Sequence, residues 1–108
     1  DVYVCFKEEG DWGVPIQLGK TVNTPFAERT PWLSDDGKTL YLSTNAYSVG
    51  RNDLDIFMFT RTDINNWKDW IGPVKVKDVC SAGDDWCYRP DQQSGKTYFA
   101  RSLKLKFK

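Results

Sequence analysis

"TPWLSDDGKTLYLST", residues 30–44, reads as a strand, a reversal and a second strand. Asp35, Asp36 and Gly37 carry turn chemistry: short acidic side chains that cap nearby backbone, then a residue free to take positive φ. From Thr39 to Thr44 the run alternates, with Leu40 and Leu42 on one face and Tyr41 and Ser43 on the other. The stretch is predicted to be a β-hairpin with one apolar face, and Gly37 is a structural residue of its turn.

The landmarks of this hairpin return later in the chain. Gly37-Lys38-Thr39 recurs as Gly95-Lys96-Thr97, and Asp11 to Pro15 ("DWGVP") recurs as Asp69 to Pro73 ("DWIGP"), both 58 residues on (95 − 37; 69 − 11). Asp1 to Lys7 ("DVYVCFK") matches Asp55 to Arg61 ("DIFMFTR") at 54 (55 − 1). Val22-Asn23-Thr24 with Glu28 finds a looser echo in Val79-Cys80-Ser81 with Asp85, at 57 (79 − 22). Ordered matches at a nearly constant offset point to internal duplication, which usually builds an array of like units. The units run from about 1 to 54 and 55 to 108, within a single domain spanning 1–108.

Composition narrows the class. With 108 residues, 40% of them hydrophobic and 15% aromatic, the chain has material for a core. No apolar run approaches the roughly 18–20 residues of a membrane helix, so a membrane-spanning helix is not expected. Fifteen basic residues balance fifteen acidic ones, which argues against electrostatic binding of nucleic acid. Helical periodicity is nearly absent, and short strands separated by turns fit throughout. Strands are expected at Asp1–Lys7, about Ala27–Leu33, Thr39–Thr44, Asp55–Arg61, about Trp86–Arg89, Thr97–Arg101 and Leu103–Lys108. The fold class expected is all-β and antiparallel, with one four-stranded propeller blade per repeat, giving about two blades of an incomplete β-propeller.

Several motifs support that reading by resemblance. Pro31 followed by Ser34-Asp35-Asp36-Gly37-Lys38-Thr39-Leu40-Tyr41, a loop with Gly50 and Asn52, and then Asp55-Ile56-Phe57 resembles the TolB-type, WD-repeat-like β-propeller repeat. Trp12, Pro15, Leu18 and Gly19, with Val22-Asn23-Thr24 and Glu28, are similar to the form common in bacterial cell-envelope proteins, often beside OmpA-like domains. The resemblance implies structural roles for Asp55, which opens a strand, and for Glu28, which braces neighbouring strands. It also implies a periplasmic, envelope or secreted location. The partners it implies are other blades of the same propeller or envelope proteins, with glycan or peptidoglycan as further ligands. Such a propeller closes with roughly four to eight blades, so the chain is expected to be completed by further sequence or by association.

Chemistry-bearing residues are few. There is no histidine, which removes Ser-His-Asp and Cys-His machinery. Adjacent carboxylates at Asp35–Asp36 and Asp84–Asp85 suit turns better than a catalytic pair, so no catalytic residue is assigned. Neither a metal site nor a cofactor is expected. Cys80 and Cys87 enclose only the polar loop "SAGDDW", and with the envelope resemblance they are expected to form a disulfide; two reduced thiols are the alternative. Such a bridge would stabilise by ~2–3 kcal/mol and imply an oxidising compartment. Cys5 sits where the second copy has Phe59, as a small buried hydrophobe. Of the five tryptophans, Trp12 and Trp70 occupy equivalent repeat positions and are assigned to packing, and Trp32 to an inner strand. Trp67 and Trp86 lack counterparts and are the candidate binding residues. The function expected is that of a non-enzymatic protein-interaction or scaffolding module. The alternatives are part of a propeller enzyme (a glycosidase or a prolyl-oligopeptidase-like hydrolase) or a glycan-binding module.

Overall fold

The computed structural model describes residues 1–47 and 53–102. The strands are β1 (Tyr3–Val4), β2 (Lys7–Glu8), β3 (Asp11–Trp12), β4 (Ile16–Gln17), β5 (Glu28–Leu33), β6 (Thr39–Thr44), β7 (Asp55–Thr60), β8 (Ile71–Lys75), β9 (Asp84–Pro90) and β10 (Thr97–Ser102), with a 3-10 turn at Lys77–Val79. The hairpin read from residues 30–44 forms as β5 and β6. Ser34 Oγ donates to Asp36 (2.6 Å), Asp36 accepts from the Lys38 amide (3.0 Å), and Gly37 takes φ 73°, which suits glycine.

One sheet has four strands in the order β5-β6-β7-β8, all antiparallel. The remaining strands pair as β1 with β4, β2 with β3, and β9 with β10. These are four separate, open sheets, and this overturns the propeller expectation. β1 to β4 form only two-residue pairings, because Asp1–Lys7 breaks into β1 and β2 instead of running as one strand. β7 and β8 complete the sheet begun by β5 and β6, and only β9 and β10 follow among the described residues. The chain is all-β, but its sheets are not like units, and it is no set of propeller blades of the TolB or WD-repeat kind. The expected strand at Leu103–Lys108, and Gly50 and Asn52 of the resemblance, lie outside the described residues.

The four-stranded sheet is covered on both faces. On one face Leu40 and Leu42 of β6 stand opposite Phe59 and Phe57 of β7, and Val2, Leu18, Val22 and Trp70 close over them as the main core. On the other face β9 lies across β5 and β6. Tyr88 packs on Tyr41 with ring centroids 4.8 Å apart, and the Cys87 amide donates to Thr30 Oγ1 (2.9 Å). Ser43 and Ile56 are therefore buried as well, and Thr44 is buried on the face of Leu40 and Leu42. Two polar side chains hold the covers in place. Asn23 receives the Val2 amide on Oδ1 and donates to the Val2 carbonyl (3.0 Å), which docks the chain beside β1. Asp84 accepts from the Leu54 amide (2.8 Å), which docks β9.

Candidate interaction surface

A cleft of about 180 Å³ opens where β1 and the residue after β4 meet the end of β5. Its floor is buried and apolar: Val2, Leu18, Leu40 and Trp70. Its rim carries Tyr3, Pro31 and Leu33, all exposed, and half-buried Trp67. The loop bearing Trp67 is fixed against β4 by Gly19 (φ 87°), where a Cβ would lie 2.6 Å from the Lys68 carbonyl oxygen. Only glycine allows the two backbones to come so close.

Arg61, at the end of β7, supports both tryptophans. It is buried, its Nε donates to the Gly37 carbonyl (2.8 Å), and its Nη1 donates to the Asn66 carbonyl (3.1 Å). The guanidinium carbon lies 3.8 Å from the ring centroid of Trp67 and 4.6 Å from that of Trp70. Such cation–π contacts are worth ~0.5–2 kcal/mol each, most where water is excluded. Burial pushes the Arg61 pKa down, the nearby Asp63 opposes this, and the group stays charged at neutral pH. Trp70 Nε1 donates to the Trp67 carbonyl (2.9 Å), and Phe6 meets Trp67 edge-on at 5.7 Å. The sequence reading missed Arg61. Its signal was an arginine directly after an apolar strand and followed by two tryptophans, whereas the matching position in the first half is Lys7, which is exposed.

The other residues singled out in the sequence scatter. Trp86 lies on β9, on the opposite side of the sheet from Trp67, lining a second cleft. Trp12 and Trp70 part company: Trp70 is 3% exposed in the core, while Trp12 is 66% exposed. The packing role expected of Trp12 is not what the structure shows, because β2 and β3 form a two-residue ladder that joins no other strand among the described residues. Cys5 is exposed instead of buried, since the chain leaves β1 at Val4 and Cys5 belongs to no strand. Trp32, half-buried on β5, leans on Tyr41 with centroids 6.0 Å apart.

Glu28 is buried and accepts from the Thr24 amide (3.1 Å) and Thr24 Oγ1 (2.6 Å). Buried Asp55 meets Lys75 Nζ at 3.4 Å across β7 and β8. Cys80 and Cys87 are free thiols and not the expected disulfide. Cys80 points its thiol at the Ile56 carbonyl (3.7 Å), and burial raises its pKa, keeping it in the unreactive protonated form. Cys87 is held by its own amide on Thr30. Among the described residues no group of three or more His, Cys, Asp or Glu is placed to hold a metal ion.

No family model matches the chain, and no curated protein or solved structure matches it. The likeness to the TolB-type repeat therefore has neither a family match nor a closed fold behind it. What the fold and cleft define is a class: a small all-β domain of open sheets with a tryptophan-edged apolar recess.

Proposed function

We propose that this chain is a protein-interaction module that receives a bulky apolar side chain of a partner in the cleft edged by Trp67. One observation carries the reading. A recess floored by core residues is left open and ringed by exposed Tyr3 and Leu33 beside a tryptophan held rigid by Arg61. Partners anchor on such sites through one large side chain in a desolvated pocket, with aromatic residues dominating the energy. The apolar floor supplies the driving force, at ~25 cal/mol per Å² removed from water.

Selection of peptides from a random displayed library against the purified chain tests this. Enriched peptides should share an aromatic or large aliphatic anchor. Leu33→Asp, a change at an exposed position, should weaken them by roughly ten-fold or more, the effect of charging a desolvated pocket. Failure to enrich any sequence, or binders indifferent to both Leu33→Asp and Tyr3→Ala, would overturn the proposal.

A further inference from the structure

The opposite side of the sheet holds a second cleft of different chemistry. It measures about 390 Å³ and lies between β5 and β9, lined by Arg29, Thr30, Leu54, Asp84, Trp86 and Cys87. A smaller recess of about 180 Å³ shares Arg29, Leu54 and Asp84 with it and adds Asn45. Together they fall in the size range of small-ligand sites, roughly 300–1,000 Å³.

The cleft is built by strain. Thr30 (φ 50°) and Cys87 (φ 58°) are both non-glycine residues in the left-handed region, and the Cys87 amide on Thr30 Oγ1 ties them together. The β5–β6 register shifts between Arg29 and Trp32, across Thr30. Each left-handed residue costs ~1–2 kcal/mol. Strain of this kind gathers at ligand sites when the surroundings enforce it. On β9, Asp84 and Trp86 are two residues apart and share a strand face, which brings a carboxylate and an indole to one wall.

The polar groups are mixed in sign and incompletely used. Arg29 is exposed, and its side chain makes no hydrogen bond or ion pair among the described residues. One oxygen of Asp84 accepts from the Leu54 amide, and the other has no bond among the described residues. Asn45 accepts from the Ala27 amide (3.0 Å) through Oδ1, which leaves its NH₂ group to donate. One positive and one negative group side by side select neither an anion nor a cation. A polyhydroxylated ring suits them, because each hydroxyl both donates and accepts, and its C–H face suits an indole. We propose that the cleft between β5 and β9 binds a neutral sugar ring, packed on Trp86, with its hydroxyls shared among Arg29, Asp84 and Asn45. This site is independent of the apolar cleft across the sheet.

Isothermal titration of the whole chain with maltotetraose, cellotetraose and chitotetraose tests it. At least one of these neutral oligosaccharides binds saturably. Trp86→Ala and Arg29→Ala each weaken that binding by roughly ten-fold or more, the effect of losing a ring contact or a charge-assisted hydrogen bond. Trp12→Ala leaves it unchanged. Arg29 is exposed, so its variant keeps the fold and the test stands even if Trp86→Ala does not fold. Absence of binding by all three at millimolar concentration overturns the proposal. So does binding that survives Arg29→Ala, or binding lost in Trp12→Ala.

Discussion

The β5–β6 and β9–β10 hairpins carry the same local wiring but belong to different structures. In the first, Thr24 donates its amide and hydroxyl to Glu28, and the Phe26 amide donates to Thr24 Oγ1 (3.1 Å). In the second, Ser81 donates its amide (2.8 Å) and hydroxyl (3.0 Å) to Asp85, and the Gly83 amide donates to Ser81 Oγ (3.1 Å). The turns share their glycine and differ in length, closing three residues back in the first and four in the second. The Gly37 amide donates to the Ser34 carbonyl and the Gly95 amide to the Asp91 carbonyl, both at 2.9 Å, and both glycines take φ 73°. Yet β5 and β6 form half of a four-stranded sheet, while β9 and β10 stand as a pair. Local sequence sets turns and carboxylate cradles. The number of strands that join depends on what the neighbouring apolar faces can bury.

The sharpest way to break the comparison is to truncate matching strand positions. Leu40 in β6 is buried in the main core, whereas Tyr98, 58 residues on (98 − 40) in β10, is exposed. Leu40→Ala should cost ~2–5 kcal/mol, the usual range for a buried leucine. Tyr98→Ala should stay within about 0.5 kcal/mol, as for a surface position. Urea denaturation of the two variants measures both. Equal losses would mean that the second hairpin is buried in a way this fold does not provide.

The two cradles give the next contrast. Asp85 accepts from Arg101 Nε (2.7 Å) in addition to Ser81, and Arg101 also donates to the Val79 carbonyl (2.7 Å). Glu28→Ala should cost ~1–3 kcal/mol, because the Thr24 amide loses its partner in a part-buried setting. Asp85→Ala should cost more, since it also strands Arg101. A smaller loss at Asp85 than at Glu28 in thermal unfolding would show that the Arg101 contact contributes nothing.

The smallest effect is in the turns. The Ser34 hydroxyl, first, and the Lys38 amide hold the Asp36 pKa below the ordinary carboxylate value; the Ser94 hydroxyl, first, and the Gln93 amide do the same for Asp91. A lowered folded pKa means that each contribution is fully present above the unfolded carboxylate pKa. It is lost as pH falls through the lowered folded pKa. Ser34→Ala and Ser94→Ala should each raise the pKa of the neighbouring aspartate, as read by carboxyl chemical shifts against pH. An unshifted titration in either variant would show that the hydroxyl does not hold the carboxylate of its own turn.

Sequence reasoning reached the local level of this protein. Asp36 and Gly37 marked a reversal, the Leu40–Leu42 alternation marked the buried face of β6, and Thr39–Thr44 was bounded to the residue. These are legible because a turn needs particular φ values and capping groups within four residues, and a strand shows its face every second residue. β8 was missed, because Ile71–Lys75 has a glycine and a proline in its middle and takes its place only by pairing with β7.

Tertiary structure decided the rest. The same tryptophan motif puts Trp70 in the core and leaves Trp12 in water, since only the first has a four-stranded sheet to lie against. Repeated landmarks did not make repeated sheets, because a strand too short to bury a face gains too little to extend its ladder. Neither cleft was legible in the chain. One depends on Arg61 meeting two tryptophans across a loop, and the other on two bulged strands meeting 57 residues apart (87 − 30). Local sequence encodes backbone preference, whereas a site is made by side chains distant in sequence that share one surface only once the sheet between them is covered.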